Sequence, residues 1–203
     1  MTLEEAIAKI KPLDHNAMEI AQKRWDSIAK PLHSLGKLET LLIQIAGITG
    51  NAEVDLSRRG LIAMCADNGV IEEGVTQTGQ EVTAIVAENF LRYDTSVGVM
   101  CKQNHAEIFP VDMGMVTDTK VRTDHKIAYG TQNMTKGPAM TREQAVKGLE
   151  AGIDMVRELN DKGYRILATG EMGIGNTTTS SAVASVLLKQ PVEEMTGRGA
   201  GLT

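Results

Sequence analysis

Aromatic residues are scarce in this chain: one Trp, three Tyr and two Phe make up 3% of its 203 residues. Set against twenty glycines, that scarcity argues against an all-β sandwich and for an α/β protein with many tight turns. Cysteine is nearly absent. Cys65 and Cys101 lie far apart and belong to no C-x-x-C or Cys/His cluster, the usage of a reduced cytosol in which both thiols are packed rather than reactive. A cytoplasmic location is therefore expected. The four histidines, His15, His33, His105 and His125, make neither H-x₃-H nor H-E-x-x-H, so no metal site and no cofactor are expected. Positive charge is not in excess: the net charge is −5, which argues against a general nucleic-acid or membrane-surface binder. Long apolar runs are missing too, and the acidic start Thr2-Leu3-Glu4-Glu5 is unlike a signal peptide, so no membrane partner is expected.

What is present is ordinary for a soluble globular protein, with 42% hydrophobic and 23% charged residues. The length suits one sizeable core with a small helical appendage. Eleven methionines read first as gap-filling core residues and second as the lining of a pocket.

Along the chain, apolar positions predict helix over residues 3–28, interrupted near Pro12, and again over 35–48, with Gly47, Gly50 and Asn51 at its end. These helices form an expected helical portion of a small domain, residues 1–50. Residues 51–203 are expected to form an α/β domain, incomplete at its C-terminus. In it, strands are predicted at 60–66, 107–112 and 165–169, with a possible short strand at 126–129. Helices are predicted at 80–92 and 95–104, and beyond a Thr141–Gln144 capping box. The alternation predicts a parallel, Rossmann-like sheet with helices on both faces. Two strands end in Asp with glycine close behind, Asp67-Asn68-Gly69 and Asp112-Met113-Gly114. Loops after strand ends are where ligands sit in such sheets, although Asp67 also suits a turn or cap.

The third strand leads into Gly170-Glu171-Met172-Gly173-Ile174-Gly175-Asn176-Thr177-Thr178-Thr179, with helix expected from Ser180. Strand, glycine-rich turn and helix together aim backbone N–H groups and a positive helix end at an anion. The spacing nearly matches the P-loop G-x-x-x-x-G-K-[ST], except that Asn176 stands where the lysine belongs. Without that cation a monophosphate is a better ligand than a nucleoside triphosphate. The same string also suits an αβ turn with no ligand. At the other end, Thr196-Gly197-Arg198-Gly199-Ala200-Gly201-Leu202-Thr203 is a second glycine-rich loop of a kind that leads into another element, so the sequence reads as cut short.

These strings together resemble the nicotinate-nucleotide–dimethylbenzimidazole phosphoribosyltransferase family. They are Leu35-Gly36-Lys37-Leu38-Glu39, Ala66-Asp67-Asn68-Gly69-Val70, Gln80-Glu81-Val82-Thr83, Val111-Asp112-Met113-Gly114, Gly130-Thr131-Gln132-Asn133-Met134, residues 170–178 and Gly197-Arg198-Gly199. The resemblance implies transfer of phosphoribose from nicotinate mononucleotide to 5,6-dimethylbenzimidazole, giving α-ribazole 5′-phosphate and nicotinate in cobalamin biosynthesis. It implies that Met172, Gly173, Gly175, Asn176, Thr177 and Thr178 hold the phosphate and ribose, helped by Gly197, Arg198 and Gly199. It also implies that Glu171 lies near the reacting centre and that Asp67 and Gln80 contribute to substrate binding, Gln80 and loop 76–79 lining the base pocket. The family commonly has proline before that glutamine, where this chain has Gly79. The family's principal general base is a glutamate that would fall beyond Thr203, so the isolated chain is expected to turn over little. A homodimer with small-molecule partners is implied. A non-catalytic module that binds a nucleotide or lower-ligand base is the alternative, and a nucleotide triphosphate enzyme with a degenerate P-loop a weaker third.

Overall fold

The computed structural model describes residues 1–199, and the expected glycine loop therefore lies partly outside the described residues, at Ala200, Gly201, Leu202 and Thr203. The chain divides into two compact units, Thr2–Ser57 and a second that begins at Arg58 and takes in Met1.

The first unit is helical: α1 (Leu3–Ala8), α2 (His15–Ser27) and α3 (Lys37–Thr49). Thr2 and Glu5 close a capping box on α1, and the Asp14 carboxylate accepts from Ala17 N at 2.9 Å to cap α2. Small residues let α2 and α3 approach closely. A Cβ on Gly47 would lie 2.7 Å from the Met18 side chain, so glycine is what that crossing requires. Between the helices, Glu39 is buried and accepts from Leu35 N at 3.1 Å and pairs with Lys30 Nζ at 2.9 Å. That pair fixes the Lys30–Gly36 connection, since an unpaired buried carboxylate would be strongly unfavourable.

The second unit is built on β1 (Arg59–Ala66), β2 (Ala106–Gly114) and β3 (Ile166–Met172), a parallel sheet in the order β2-β1-β3. The near-continuous apolar run of β1 is what a strand buried on both faces needs, and β1 is central. Pro110 is tolerated in β2 because that strand lies at one side of the sheet. Alternation along β1 divides the core. Ala63 and Cys65 pack with Ala84, Ala87, Phe90 and Met115, beneath α4 (Glu81–Arg92) and α5 (Ser96–Gln103). Ile62 packs with Val111, Met155, Leu159 and Tyr164, beneath α6 (Arg142–Asp161). Thr141 and Gln144 form the expected capping box of α6. Both cysteines are buried, and burial pushes the Cys65 thiol up to about 12.

Three local expectations change. β3 continues through Gly170, Glu171 and Met172 because these residues keep register with Ala63, Met64 and Cys65 of β1. The following helix, α7 (Asn176–Leu188), starts four residues earlier than its apolar pattern suggests, because Gly175 caps it in the left-handed region. Residues 126–129 form no strand: an isolated bridge, Val111 to Arg122, single bonds such as Ile127 N to Met113 O (3.0 Å) and the Lys126–Asp112 ion pair tie this connection to β2. A short 3₁₀ helix (Gly69–Glu73) follows β1, and α8 (Val192–Met195) follows α7. No helix among the described residues is long and apolar enough to cross a membrane.

Candidate active site

The carboxyl ends of β1 and β3 are where connections diverge. From β1 the chain passes to β2 on one side, and from β2 it returns to β3 on the other. Open α/β sheets bind ligands at such a switch point. Here the two ends are joined by the turn Gly173-Ile174-Gly175, and both glycines are dictated by space. A Cβ on Gly173 would lie 2.2 Å from Ala66 O and 2.8 Å from Asn68 Nδ2. Gly175 has φ +85, a conformation that strains any other residue, and a Cβ there would lie 2.8 Å from Ile71 Cγ2.

The peptide groups of Ile174 are held at both ends by side chains distant in sequence. Ile174 N donates to Thr83 Oγ1 at 3.1 Å, and Ile174 O accepts from Asn68 Nδ2 at 3.2 Å. Asn68 Oδ1 accepts in turn from Thr179 Oγ1 at 2.9 Å, inside the first turns of α7. Thr83 is fully buried and Asn68 nearly so. Behind them stands Asp67, also fully buried, whose Oδ2 accepts from Val116 N at 2.8 Å. Burial pushes the Asp67 pKa up, against the opposing pull of Val116 N–H and the Thr83 hydroxyl. Its other oxygen, Oδ1, has no partner at hydrogen-bond geometry. The equivalent residue on β2, Asp112, accepts from Met115 N at 2.8 Å and pairs with Lys126 Nζ at 3.1 Å. Both strand-end aspartates thus stabilise the loops behind the site. Asp67, expected to contribute to substrate binding, has no exposed surface here and braces the loops beside the site.

What the turn presents is the N-terminus of α7. The first N–H groups of a helix have no intrahelical acceptor, and the N-cap Gly175 supplies no side chain to take them; Asn176 N turns back to Gly173 O at 3.0 Å, so the N–H groups of Thr177 and Thr178 are the ones offered to a ligand. Asn176, Thr177 and Thr178 form this first turn. Glu171, the penultimate residue of β3, accepts from Asn176 Nδ2. Although the residue as a whole is exposed, partial desolvation of its carboxyl pushes its pKa up, with the Asn176 amide opposing. A carboxylate so held beside a helix N-terminus is placed to meet a ligand bound there. The partner of Glu171 is thus a side-chain amide and not a backbone N–H of its own loop.

The other expected residues divide. Gln80 is the N-cap of α4, and its Nε2 donates to Asn68 O at 3.4 Å, which brings it to the site. Gly199 also arrives: a Cβ there would lie 2.9 Å from Thr177 Oγ1. Gly197 has open space around it, and Arg198 is exposed. Met172, also expected at the site, is partly buried and packs against the core cluster that contains Cys65. Thr83 and Asn68 had no assigned role in the sequence reading. The available signal for Thr83 was a hydroxyl among the apolar positions of α4, and for Asn68 its place directly after a strand-end aspartate.

A phosphoribosyltransferase family model matches residues 10–203. The chain belongs to that family. It is 50% identical to the nicotinate-nucleotide–dimethylbenzimidazole phosphoribosyltransferase of Ruminiclostridium cellulolyticum, a match that covers 100% of this chain and 58% of the relative. The enzyme of the same name from Clostridium tetani is 46% identical over 99% of this chain and 56% of its own length. Among solved structures, the family fold recurs in CobT from Thermus thermophilus, with a TM-score of 0.84 and 35% identity over 93% of this chain and 57% of that one. The chain thus spans somewhat more than half the length of the curated relatives it matches.

Proposed function

We propose that this chain supplies the donor-binding part of a phosphoribosyltransferase that moves phosphoribose from nicotinate mononucleotide to 5,6-dimethylbenzimidazole, as its relatives' names describe. The observation that carries this reading is the uncapped N-terminus of α7, presented by a turn whose central residue is pinned by Thr83 and Asn68. A fixed row of N–H groups with no lysine suits one phosphomonoester. Gly173, Gly175, Asn176, Thr177 and Thr178 hold that phosphate and the ribose, and Gly199 approaches from the side. Gln80 and loop 76–79 border the acceptor base.

In the reaction, an acceptor ring nitrogen attacks C1′ of the ribose, the bond from C1′ to the pyridinium nitrogen breaks, and nicotinate leaves with that electron pair. Attack from the opposite face turns a β-linked donor into an α-linked product. The departing pyridinium is already a good leaving group, so the protein's contribution is placement and removal of the acceptor proton. Glu171 lies beside the reacting ribose, and the matched relative extends well beyond the part that this chain covers. The 203-residue chain accordingly binds the donor and turns over little or nothing by itself. We further assign it a cytoplasmic location and a homodimeric assembly.

Calorimetric titration with nicotinate mononucleotide, dimethylbenzimidazole and ATP tests this reading. The mononucleotide is expected to bind and ATP is not. Binding of ATP alone would point to a degenerate P-loop enzyme. Binding of the mononucleotide with no turnover in any longer form of the polypeptide would leave a non-catalytic module.

A further inference from the structure

On the other flank of β1 there is a cavity of about 450 Å³ that the reading above does not use. Its floor is Met64 and Ala66 of β1 with Met113 and Gly114 of β2, one wall is the connection 127–132, and the other is the first two turns of α6 with Ala139 and Met140. We propose that this cavity is a second small-molecule site, for a neutral, flat, bicyclic heteroaromatic compound.

Size, charge and surface each narrow the occupant. The volume falls within the range of small-molecule pockets, and room arises because Ala66, Ala128, Ala139, Ala145 and Gly148 present little or no side chain. No charged side chain is among the lining residues, so neither a phosphate nor an ammonium group finds a counter-charge there. The nearby cation, Lys126, is already engaged by Asp112 at 3.1 Å and Asp118 at 3.2 Å, with its Nζ 3.8 Å from the Tyr129 ring centroid. The bulky apolar part of the lining is Met64, Met113 and Met140 together with Ile127 and Tyr129. Thioethers are flexible and favour aromatic ring contacts, so they adapt to a flat ring better than branched side chains would. The edge of such a ring finds a polar partner in the amide of Gln144. Its Oε1 accepts from Thr141 N at 2.8 Å and keeps a second lone pair for a ring N–H, as in indole, while its Nε2 donors serve an acceptor ring nitrogen.

The cavity is also bonded to the anion-binding side. In the wall, Thr131 N donates to Asp67 O at 3.0 Å and Thr131 Oγ1 accepts from Gly69 N at 3.0 Å. A Cβ on Gly69 would lie 2.5 Å from Thr131 O, so loop and wall are in direct contact. An occupant of the cavity therefore bears on the loop that carries Asn68.

Indole, titrated into protein labelled with ¹³C at the methionine methyls, tests the proposal. Saturable shifts are expected at Met64, Met113 and Met140, and they should weaken by about tenfold or more in Gly148→Leu, whose side chain enters the cavity. Ala145→Leu fills the same space from the adjacent position and gives the same result should Gly148→Leu fold poorly. Shifts centred on other methionines, shifts unchanged in a folded filled variant, or no saturable shift at all would overturn it. The proposal does not depend on the phosphoribosyl reading: mononucleotide binding at α7 and indole binding in the cavity succeed or fail separately.

Discussion

On the β3 side of the carboxyl end of β1, backbone and side chains of the turn meet closely, and both peptide groups of Ile174 have side-chain partners. On the β2 side of the same strand end, small residues and thioethers leave a cavity with no charge in its lining. The strand is common to both, so the difference comes from what arrives from elsewhere in the chain. Toward β3 come Thr83 and Thr179, whose hydroxyls, together with Asn68, complete a hydrogen-bonded clamp. Toward β2 comes the 127–132 connection, which bonds through its backbone and the Thr131 hydroxyl and lines the cavity without charge. Fixing an anion requires N–H groups held in one direction, because a dipole that can turn away gains little from charge. Holding a neutral ring requires shape and a single polar partner, here Gln144.

A single added methyl group should therefore act oppositely on the two flanks. Gly173→Ala places a Cβ against Ala66 O at 2.2 Å, where backbone cannot give way. Overpacking of this kind costs about 1–3 kcal/mol. It should move the turn enough to remove mononucleotide binding, as seen by urea unfolding and calorimetry together. Next in size is Thr83→Val, which keeps the shape but leaves Ile174 N–H without its acceptor. A buried unsatisfied donor costs about 1–3 kcal/mol. Thr83→Ser, which retains the oxygen, should recover most of both stability and affinity. If valine and serine behave alike, the clamp is packing and not hydrogen bonding.

The third effect is one of pH. Asp67 has its pKa raised by burial above its ordinary value of 3.8. The native state therefore holds that proton to higher pH than the unfolded chain does, and stability declines as pH rises from the ordinary value through the raised one. Asp67→Asn removes this contribution. Urea midpoints measured across the acid range should show the parent losing ground to the variant as pH rises through that window, with a constant offset above it. Smallest is Gly148→Ala. Its Cβ would meet Ile127 Cδ1 at 3.4 Å, ordinary contact, and alanine improves a helix interior by about 0.5–1 kcal/mol. A modest rise in the urea midpoint is expected.

Much of the fold was legible because apolar runs ending in Asp, Asn and Gly mark strand ends without tertiary information, as at Asp67 and Asp112. The family strings carried the functional reading further than periodicity could. Gly170-Glu171-Met172 was not legible as strand, because glycine and glutamate have no strand pattern and only the register with Ala63, Met64 and Cys65 places them there. For the same reason Met172 read as part of a loop while its side chain belongs to the core. The clamp on Ile174 was hidden by distance: Thr83 and Asn68 lie 91 and 106 residues from it. The cavity was hidden in the same way, since Met64, Met113 and Met140 come together only through the sheet and the start of α6.

The account rests most heavily on the exposed N–H groups at the start of α7. Backbone amide NMR of the isotopically labelled chain, titrated with nicotinate mononucleotide, reports on them directly. Saturable shifts should centre on Gly175, Asn176, Thr177 and Thr178, and they should be lost in Thr83→Val. Saturable shifts centred elsewhere, or a mononucleotide that leaves these four amides unmoved, would contradict the assignment of this helix end as the phosphate site.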